Sequence, residues 1–454
     1  MPELPEGGAE EGEGDFCLPP PECPLGDQDA GAGTPQPSSR VQRIKTAEQA
    51  ALEWRAQYVQ VEYPPNVAEL SGDFKVFSQE GYSTPGDSGS AQDVRPPWFD
   101  EQLFLEGQRV ARDNHAGMAT AEAQALFLLF AFPAGLDPLV STTRSDTPET
   151  AGRRYLSTNM RLLSWITSDP FDPESECYRN LVAVRRMHAN VRKACNDGKP
   201  EELAVRFTIG RDQPRELLCP QAALFESVFS SVPGGSYAGP CPAMSAFEGR
   251  DPGRLGAVKL SVDRYRRPFL SQGEMAITQW GFFGLFILKP QVFAAPYVTR
   301  RELEAVVHLW AVLGYCLGID DTFNWALGGL DLVLKRSELY LRTLAVPNLR
   351  TLGAEGTARW EHMTRCMVEG MRQYMPISAL EVSLAYLTED VLELGTVLPK
   401  ALTWRQTFQL WRLRLFLQYL PRWVPSWASV MSRGLGRMFR KAARVAGIKS
   451  DLVE

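Results

Sequence analysis

The sequence predicts an all-α protein: one large helical globular domain, a disordered acidic N-terminus and basic amphipathic C-terminal helices. Three observations predict it. Apolar residues recur at helical spacing from Trp98 to about residue 420, strand-like alternation is scarce, and Gly/Pro clusters punctuate the helical runs.

Residues 1–40 are acidic and rich in Gly and Pro, with nine acids and no Lys or Arg over 1–39. Such a segment cannot offset its ordering entropy and is expected to be disordered. Residues 41–95 form a lead-in, with a helix over 42–60 and then a loop-rich stretch over 62–98 carrying Pro64-Pro65, Pro85-Gly86 and Pro96-Pro97. The main domain, 96–400, should hold helices at about 100–112, 118–131, 149–167, 177–196, 218–230, 272–288, 300–318, 324–344, 357–374 and 378–393. A long Gly/Pro-rich loop over 233–256 interrupts them. Beyond it, 401–454 begins with a helix at 403–420.

A formal net charge of −6 argues against a general nucleic-acid binder, which needs a basic surface. The eight cysteines are scattered and none stands at zinc-finger spacing from another, so reduced thiols and an intracellular setting are expected. The N-terminus has no apolar signal-peptide core. The most apolar stretch, Met275 to Val298, contains Lys289, Pro290 and Pro296 and reads as a buried helix rather than a membrane span.

Four histidines exist, at 115, 188, 308 and 362. His188 borders a stripe of Leu181, Val184, Met187 and Val191, with Arg185 and Arg192 a turn away on either side. An imidazole on an apolar wall flanked by guanidinium groups is what a haem site needs: an iron ligand, a porphyrin face and partners for propionates. A hydrogen-bonded core histidine is the plain alternative. On the preceding helix Arg154, Thr158, Arg161 and Trp165 share one face, a mixture suited to the wall of a polar pocket.

The pairing of RRYLSTNMRLLSW with VRRMHANVR resembles the catalytic-domain family shared by rubber oxygenase and the ER-bound oxygenase of mycophenolic acid biosynthesis. FDEQLFLEGQRV, GEMAITQWGFFG and RRELEAVVHLWAVLGYCLGIDDTFN are similar to further stretches of that family, in the same order. The resemblance implies an α-helical fold that binds haem b (iron), uses dioxygen and oxidatively cleaves alkene bonds of isoprenoid chains. It implies His188 as the proximal metal ligand, Arg185 and Arg192 as cofactor partners, and Arg154 and Thr158 as catalytic residues. The chain departs from rubber oxygenase at Ser157, where that enzyme has a lysine, and the acid nearest the motif is Glu149.

The other histidines read as structural (His308) or as surface residues (His115 and His362). Asp320-Asp321 with Asn324 offers a competing reading, an Mg²⁺-dependent prenyl-diphosphate site, but no second acidic motif follows and a helix cap accounts for it better. A third reading is a non-catalytic, membrane-peripheral binding protein. Residues 400–449 hold eleven Lys or Arg and no acid. With Trp404, Trp411, Trp423 and Trp427 they suggest membrane contact through 400–454. Over 427–445 an apolar stripe of Trp427, Val430, Met431, Leu435, Met438, Phe439 and Val445 suggests a helix lying on anionic lipid, the plain alternative being a helix packed on the protein's own body. The expected partners are therefore a hydrophobic small molecule or lipid, dioxygen and a membrane surface, with no nucleic acid; the expected location is cytoplasmic or peripheral on an internal membrane.

Overall fold

The structure, a computed structural model, describes residues 55, 57, 59–63, 76–210, 218 and 259–448. All of them belong to one unit spanning 48–454. The fold is all-α, as the apolar periodicity requires. The principal helices are α1 (Glu101–Asp113), α2 (His115–Leu129), α3 (Pro133–Ser141), α4 (Pro148–Trp165), α5 (Glu176–Asn196), α6 (Pro200–Arg206), α7 (Gln272–Leu288), α8 (Arg300–Cys316), α9 (Leu330–Tyr340), α10 (Gly353–Arg372), α11 (Leu380–Ala385), α12 (Trp404–Arg414) and α13 (Trp427–Val445). Among the described residues the one sheet is an antiparallel pair, β1 (Val59–Glu62) with β2 (Lys259–Val262), Val59 opposite Val262.

Local chemistry sets the helix starts. Asp100 caps α1 by accepting from Leu103 N–H, and capping boxes open α4 (Thr147 with Thr150), α7 (Ser271 with Glu274) and α8 (Thr299 with Glu302). Ser175 Oγ accepts from Tyr178 N–H at 3.0 Å to start α5. α7 runs through the core, with Trp280, Phe283 and Phe286 fully buried. Each such side chain contributes roughly 1.5–3 kcal/mol or more by leaving water.

The main helix pairs are α1 with α8, α2 with α7 and α4 with α10. Two of these approach so closely that only glycine fits. A Cβ on Gly107 of α1 would lie 2.3 Å from the Ala305 carbonyl oxygen of α8. One on Gly152 of α4 would lie 2.6 Å from that of Gly370 of α10.

Several expectations need correction. The helix expected over 42–60 lies mostly outside the described residues, and its end is instead the strand β1, held by pairing with a distant segment. Helix α9 starts at Leu330 rather than 324, because two glycines with positive φ, Gly328 and Gly329, break the chain there. Within the stretch expected to be loop, Val76–Glu80 and Gly81–Ser83 are helical. The helix expected at 218–230 and the loop at 233–256 lie outside the described residues, apart from Leu218.

Most of the apolar stripe of α13 faces the protein, while Val430 and Val445 are exposed. Phe439, Ala442 and Ala443 are buried, Met431, Leu435 and Met438 pack on the core, and α13 lies against α1, α2 and α4. The C-terminal segment is thus part of the same body. Among the described residues no helix is long and apolar enough to cross a membrane.

Candidate functional site

Helices α4 and α5 are joined by the ten-residue turn 166–175 and pack back on one another. Near that turn Asn180 Nδ2 of α5 donates to Ser164 Oγ of α4 at 2.9 Å, and Cys177 N–H donates to Ser168 Oγ at 3.1 Å. With a rise of 1.5 Å per residue, positions eight to ten residues from this pin come abreast about 12–15 Å away. His188 lies eight residues after Asn180 and Arg154 ten residues before Ser164. The fold therefore brings His188 into the electrostatic field of Arg154.

His188 makes no hydrogen bond to any described residue, and its Nδ1 is enclosed without a partner. Burial lowers its pKa to about 4, helped by the positive charges of Arg154 and Arg192 and opposed by Asp87. The imidazole is therefore neutral at pH 7, the state a metal ligand needs.

Arg154 Nη1 donates to Ser145 Oγ at 2.9 Å and Arg161 Nη1 to Ser157 Oγ at 2.8 Å, but neither has a carboxylate partner among the described residues. Burial depresses both guanidinium groups, and Arg144 adds further positive charge. Thr158 is half-buried, and its hydroxyl makes no hydrogen bond to the described residues. Arg154, Thr158, Arg161 and His188 all keep part of their surface open, while burial dominates the titration of the three ionisable groups. That combination marks a polar, partly open face rather than packed core, and the recess proposed below is read from it. Trp165, read as part of the same face, is instead buried in the core.

Arg185 and Arg192 are partly engaged elsewhere. Arg185 grips Asp87 through Nε at 3.2 Å and donates from Nη1 to the Ser90 carbonyl at 2.8 Å; Arg192 reaches Asp87 at 3.6 Å. Burial works to raise the Asp87 carboxyl, but Arg185 and the Gly89 N–H outweigh it and the net shift is downward. The two arginines thus fasten the 87–90 loop to α5, and Arg192 keeps the less committed guanidinium.

One residue of this region escaped the sequence reading. Glu122 on α2 has no hydrogen-bond or ion-pair partner among the described residues, and burial raises its carboxyl to about 8. Its negative charge is felt by Tyr155, which also senses Arg154. The signal was present: Glu122 is the single charged residue in HAGMATAEAQALFLL. Glu149, the acid nearest the motif, is exposed. In α7, Trp280, Phe283, Leu285 and Phe286 are core, and the surface left open there belongs to Thr278 and Phe282.

The remaining histidines are placed as follows. His308 Nε2 accepts from Asp100 N–H at 3.1 Å, a structural role. His115 and His362, expected at the surface, are both buried. Helix α13 covers the start of α2, setting Phe439 edge-on to His115. His362 Nδ1 accepts from Leu218 N–H at 2.9 Å, which leaves Nε2–H to donate to the Asp146 carbonyl at 3.0 Å.

The acidic pair forms a turn, not a helix cap. Asp320 Oδ1 accepts from Thr322 N–H at 2.9 Å and Asp321 Oδ2 from Trp98 Nε1 at 2.9 Å. Among the described residues no group of three or more His, Cys, Asp or Glu is placed to hold a metal ion. A porphyrin makes a smaller demand, since it supplies four nitrogens itself and asks the protein for an axial ligand. No protein-family model, no curated protein and no solved structure matches this chain.

Proposed function

We propose that the recess between α4 and α5 binds haem b through His188, and that the protein uses dioxygen to oxidise or cleave a hydrophobic, isoprenoid or lipid-like substrate. The observation that carries this reading is a neutral histidine with no hydrogen bond among the described residues, in the field of partly buried arginines of which Arg154 has no carboxylate partner among them. His308 and His362 are bonded. His115 makes no hydrogen bond among the described residues, like His188, but its ring is covered by α13 and faces Phe439, whereas His188 stands in the field of Arg154 and Arg192. The resemblance of the α4 and α5 sequences to the rubber-oxygenase family supports the same assignment.

The residues present fit the group. His188 offers a ring nitrogen, Val184 and the apolar part of α5 offer a wall, and Arg154, Arg161 and Arg192 offer positive charge for propionates or other anions. When bound, haem supplies the capacity to bind and activate dioxygen. Arg154 and Thr158 are positioned to donate hydrogen bonds in the recess, which orients substrate and stabilises developing negative charge. Glu122, with a carboxyl that titrates near neutrality, can hold or release a proton there. The acids Asp320 and Asp321 carry no comparable reading, because each already accepts a turn or indole N–H.

The test is haem content. Purified protein should show a Soret band and about one haem per chain, His188→Ala should lose both, and His115→Ala and His308→Ala should keep them. Circular dichroism separates ligand loss from unfolding. Arg154→Ala and Thr158→Ala should retain haem while oxygen consumption falls at least about tenfold. An unchanged Soret band at full stoichiometry in His188→Ala would overturn the assignment.

A further inference from the structure

The strongest feature outside the recess is at the C-terminal edge. Of the sixteen large hydrophobic residues exposed among the described residues, seven lie between Trp404 and Val424. Trp404 is 76% exposed, Phe408 56%, Trp411 53% and Trp423 72%, and Trp404, Trp411 and Trp423 are the exposed tryptophans among the described residues. On α12, Trp404, Phe408 and Trp411 stand at i, i+4 and i+7, so they share one face. Phe408 and Trp411 stack with ring centroids 5.9 Å apart.

Each exposed tryptophan has an exposed arginine as its sequence neighbour: Trp404-Arg405, Trp411-Arg412 and Arg422-Trp423. Arg405 lies over the Trp404 ring at 5.3 Å. Arg405 and Arg412 are seven residues apart and therefore flank the same aromatic face. None of the three arginines has an ion pair among the described residues, whereas Arg414, turned inward, pairs with Asp390 at 2.8 Å. The exposed arginines of α13 (Arg433, Arg437, Arg440 and Arg444) add charge of the same sign, also without ion pairs among the described residues.

We propose that this face, α12 together with Leu420–Trp423, docks the protein on the interface of an anionic lipid bilayer. The charge complementarity and the repeated Trp–Arg pairing select that partner. Indole rings settle at headgroup depth with their apolar bodies inward, and adjacent guanidinium groups meet lipid phosphates. A protein partner would be expected to take aromatic anchors into pockets matched one by one; a lipid surface needs only a shared face. The face lies within the 400–454 segment that the sequence marks for membrane contact, but on α12 and Leu420–Trp423 rather than on the stripe of 427–445, most of which packs on the protein's own core. The inference does not depend on the haem assignment.

Full-length protein should co-sediment with phosphatidylcholine vesicles containing about one-third phosphatidylserine, and much less with phosphatidylcholine alone. Trp404→Ala, Trp411→Ala and Trp423→Ala combined should lower the partition at least about tenfold and abolish fluorescence quenching by brominated acyl chains. Arg405→Gln, Arg412→Gln and Arg422→Gln combined should remove most of the weakening seen as salt rises from about 0.1 to about 0.5 M. Because these side chains are exposed, both variants should melt at the wild-type temperature. Failure of the wild type to bind anionic vesicles would sink the proposal, as would equal partition of the tryptophan variant.

Discussion

Two buried polar regions of this protein are built on opposite rules. Around the start of α10, charge and hydrogen-bonding capacity are matched. Asp137 is fully buried and takes Arg264 through Nε at 2.9 Å and Arg359 through Nη2 at 2.8 Å. Nearby on α10, His362 uses both nitrogens and Thr364 Oγ1 bonds the Trp360 carbonyl at 2.8 Å. Along α4 and α5 the same residue types find fewer partners among the described residues: Arg154 and Arg161 bond only serine hydroxyls, and His188 and the Thr158 hydroxyl make no hydrogen bond there. Unsatisfied buried groups cost free energy, so the second cluster is the one that accords with the proposed haem site.

The matched cluster should be the more costly to break. Asp137→Ala strands two partly buried guanidinium groups and should destabilise the fold by about 3–5 kcal/mol, read from chemical denaturation. A loss below about 1 kcal/mol would mean that Arg264 and Arg359 rehydrate freely, and the contrast between the regions would weaken.

Glu122 should respond in the opposite sense. Its carboxyl is raised to about 8 in the fold from an ordinary 4.5, so the folded state holds the proton over that interval and the unfolded state does not. Wild-type stability should therefore fall as pH rises from 4.5 to 8. Glu122→Gln removes that loss and should be the more stable protein at pH 8.5, by about 2–3 kcal/mol after allowance for its partial exposure. At pH 4.5 the two should be nearly equal. Equal stability at both pH values would show that Glu122 is solvated.

How much of this was legible in the sequence follows from which forces act locally. The long helices were legible because each buries a periodic stripe, and with them the places of Arg154 and Thr158 on α4 and of His188 on α5. Helices α3 and α6 are absent from the predicted set; each is short and opens on a proline, Pro133 and Pro200, which supplies the first helical turn. The burial of His115 and His362 depends on what covers a helix end, α13 in one case and Leu218 in the other, and neither is a neighbour in the chain. The stripe of α13 was legible as a stripe, but periodicity does not say whether protein or lipid covers it.

His188 gives a third, smaller test. Its pKa of about 4 lies below the ordinary 6.5, so between those values the unfolded chain binds the proton and the folded one resists it. The stability this neutral ring permits is present above pH 6.5 and is lost as pH falls toward 4. In protein stripped of porphyrin, His188→Ala should flatten that acid-side slope by about 2 kcal/mol. His115, also near 4, should account for much of what remains. An unchanged slope would place His188 in water.

The smallest effect is the sharpest comparison of the two regions. Thr158 and Thr364 each carry a hydroxyl on a helix, and valine replaces either with nearly the same volume. At Thr364 the hydroxyl is buried and bonds the carbonyls of Trp360 and Glu361, at 2.8 and 3.0 Å. Removing it leaves no charge stranded, so Thr364→Val should cost about 0.5–1.5 kcal/mol. At Thr158 no hydrogen bond is lost among the described residues, and a β-branched side chain of the same shape remains. Thr158→Val should therefore shift the unfolding midpoint by less than about 0.5 kcal/mol, or stabilise slightly by sparing an unsatisfied hydroxyl. If oxygen consumption nevertheless falls in Thr158→Val and not in Thr364→Val, stability and function have been separated at one hydroxyl. Should Thr158→Val instead cost as much stability as Thr364→Val, its hydroxyl is bonded within the fold, and the recess is one group less open than its geometry implies.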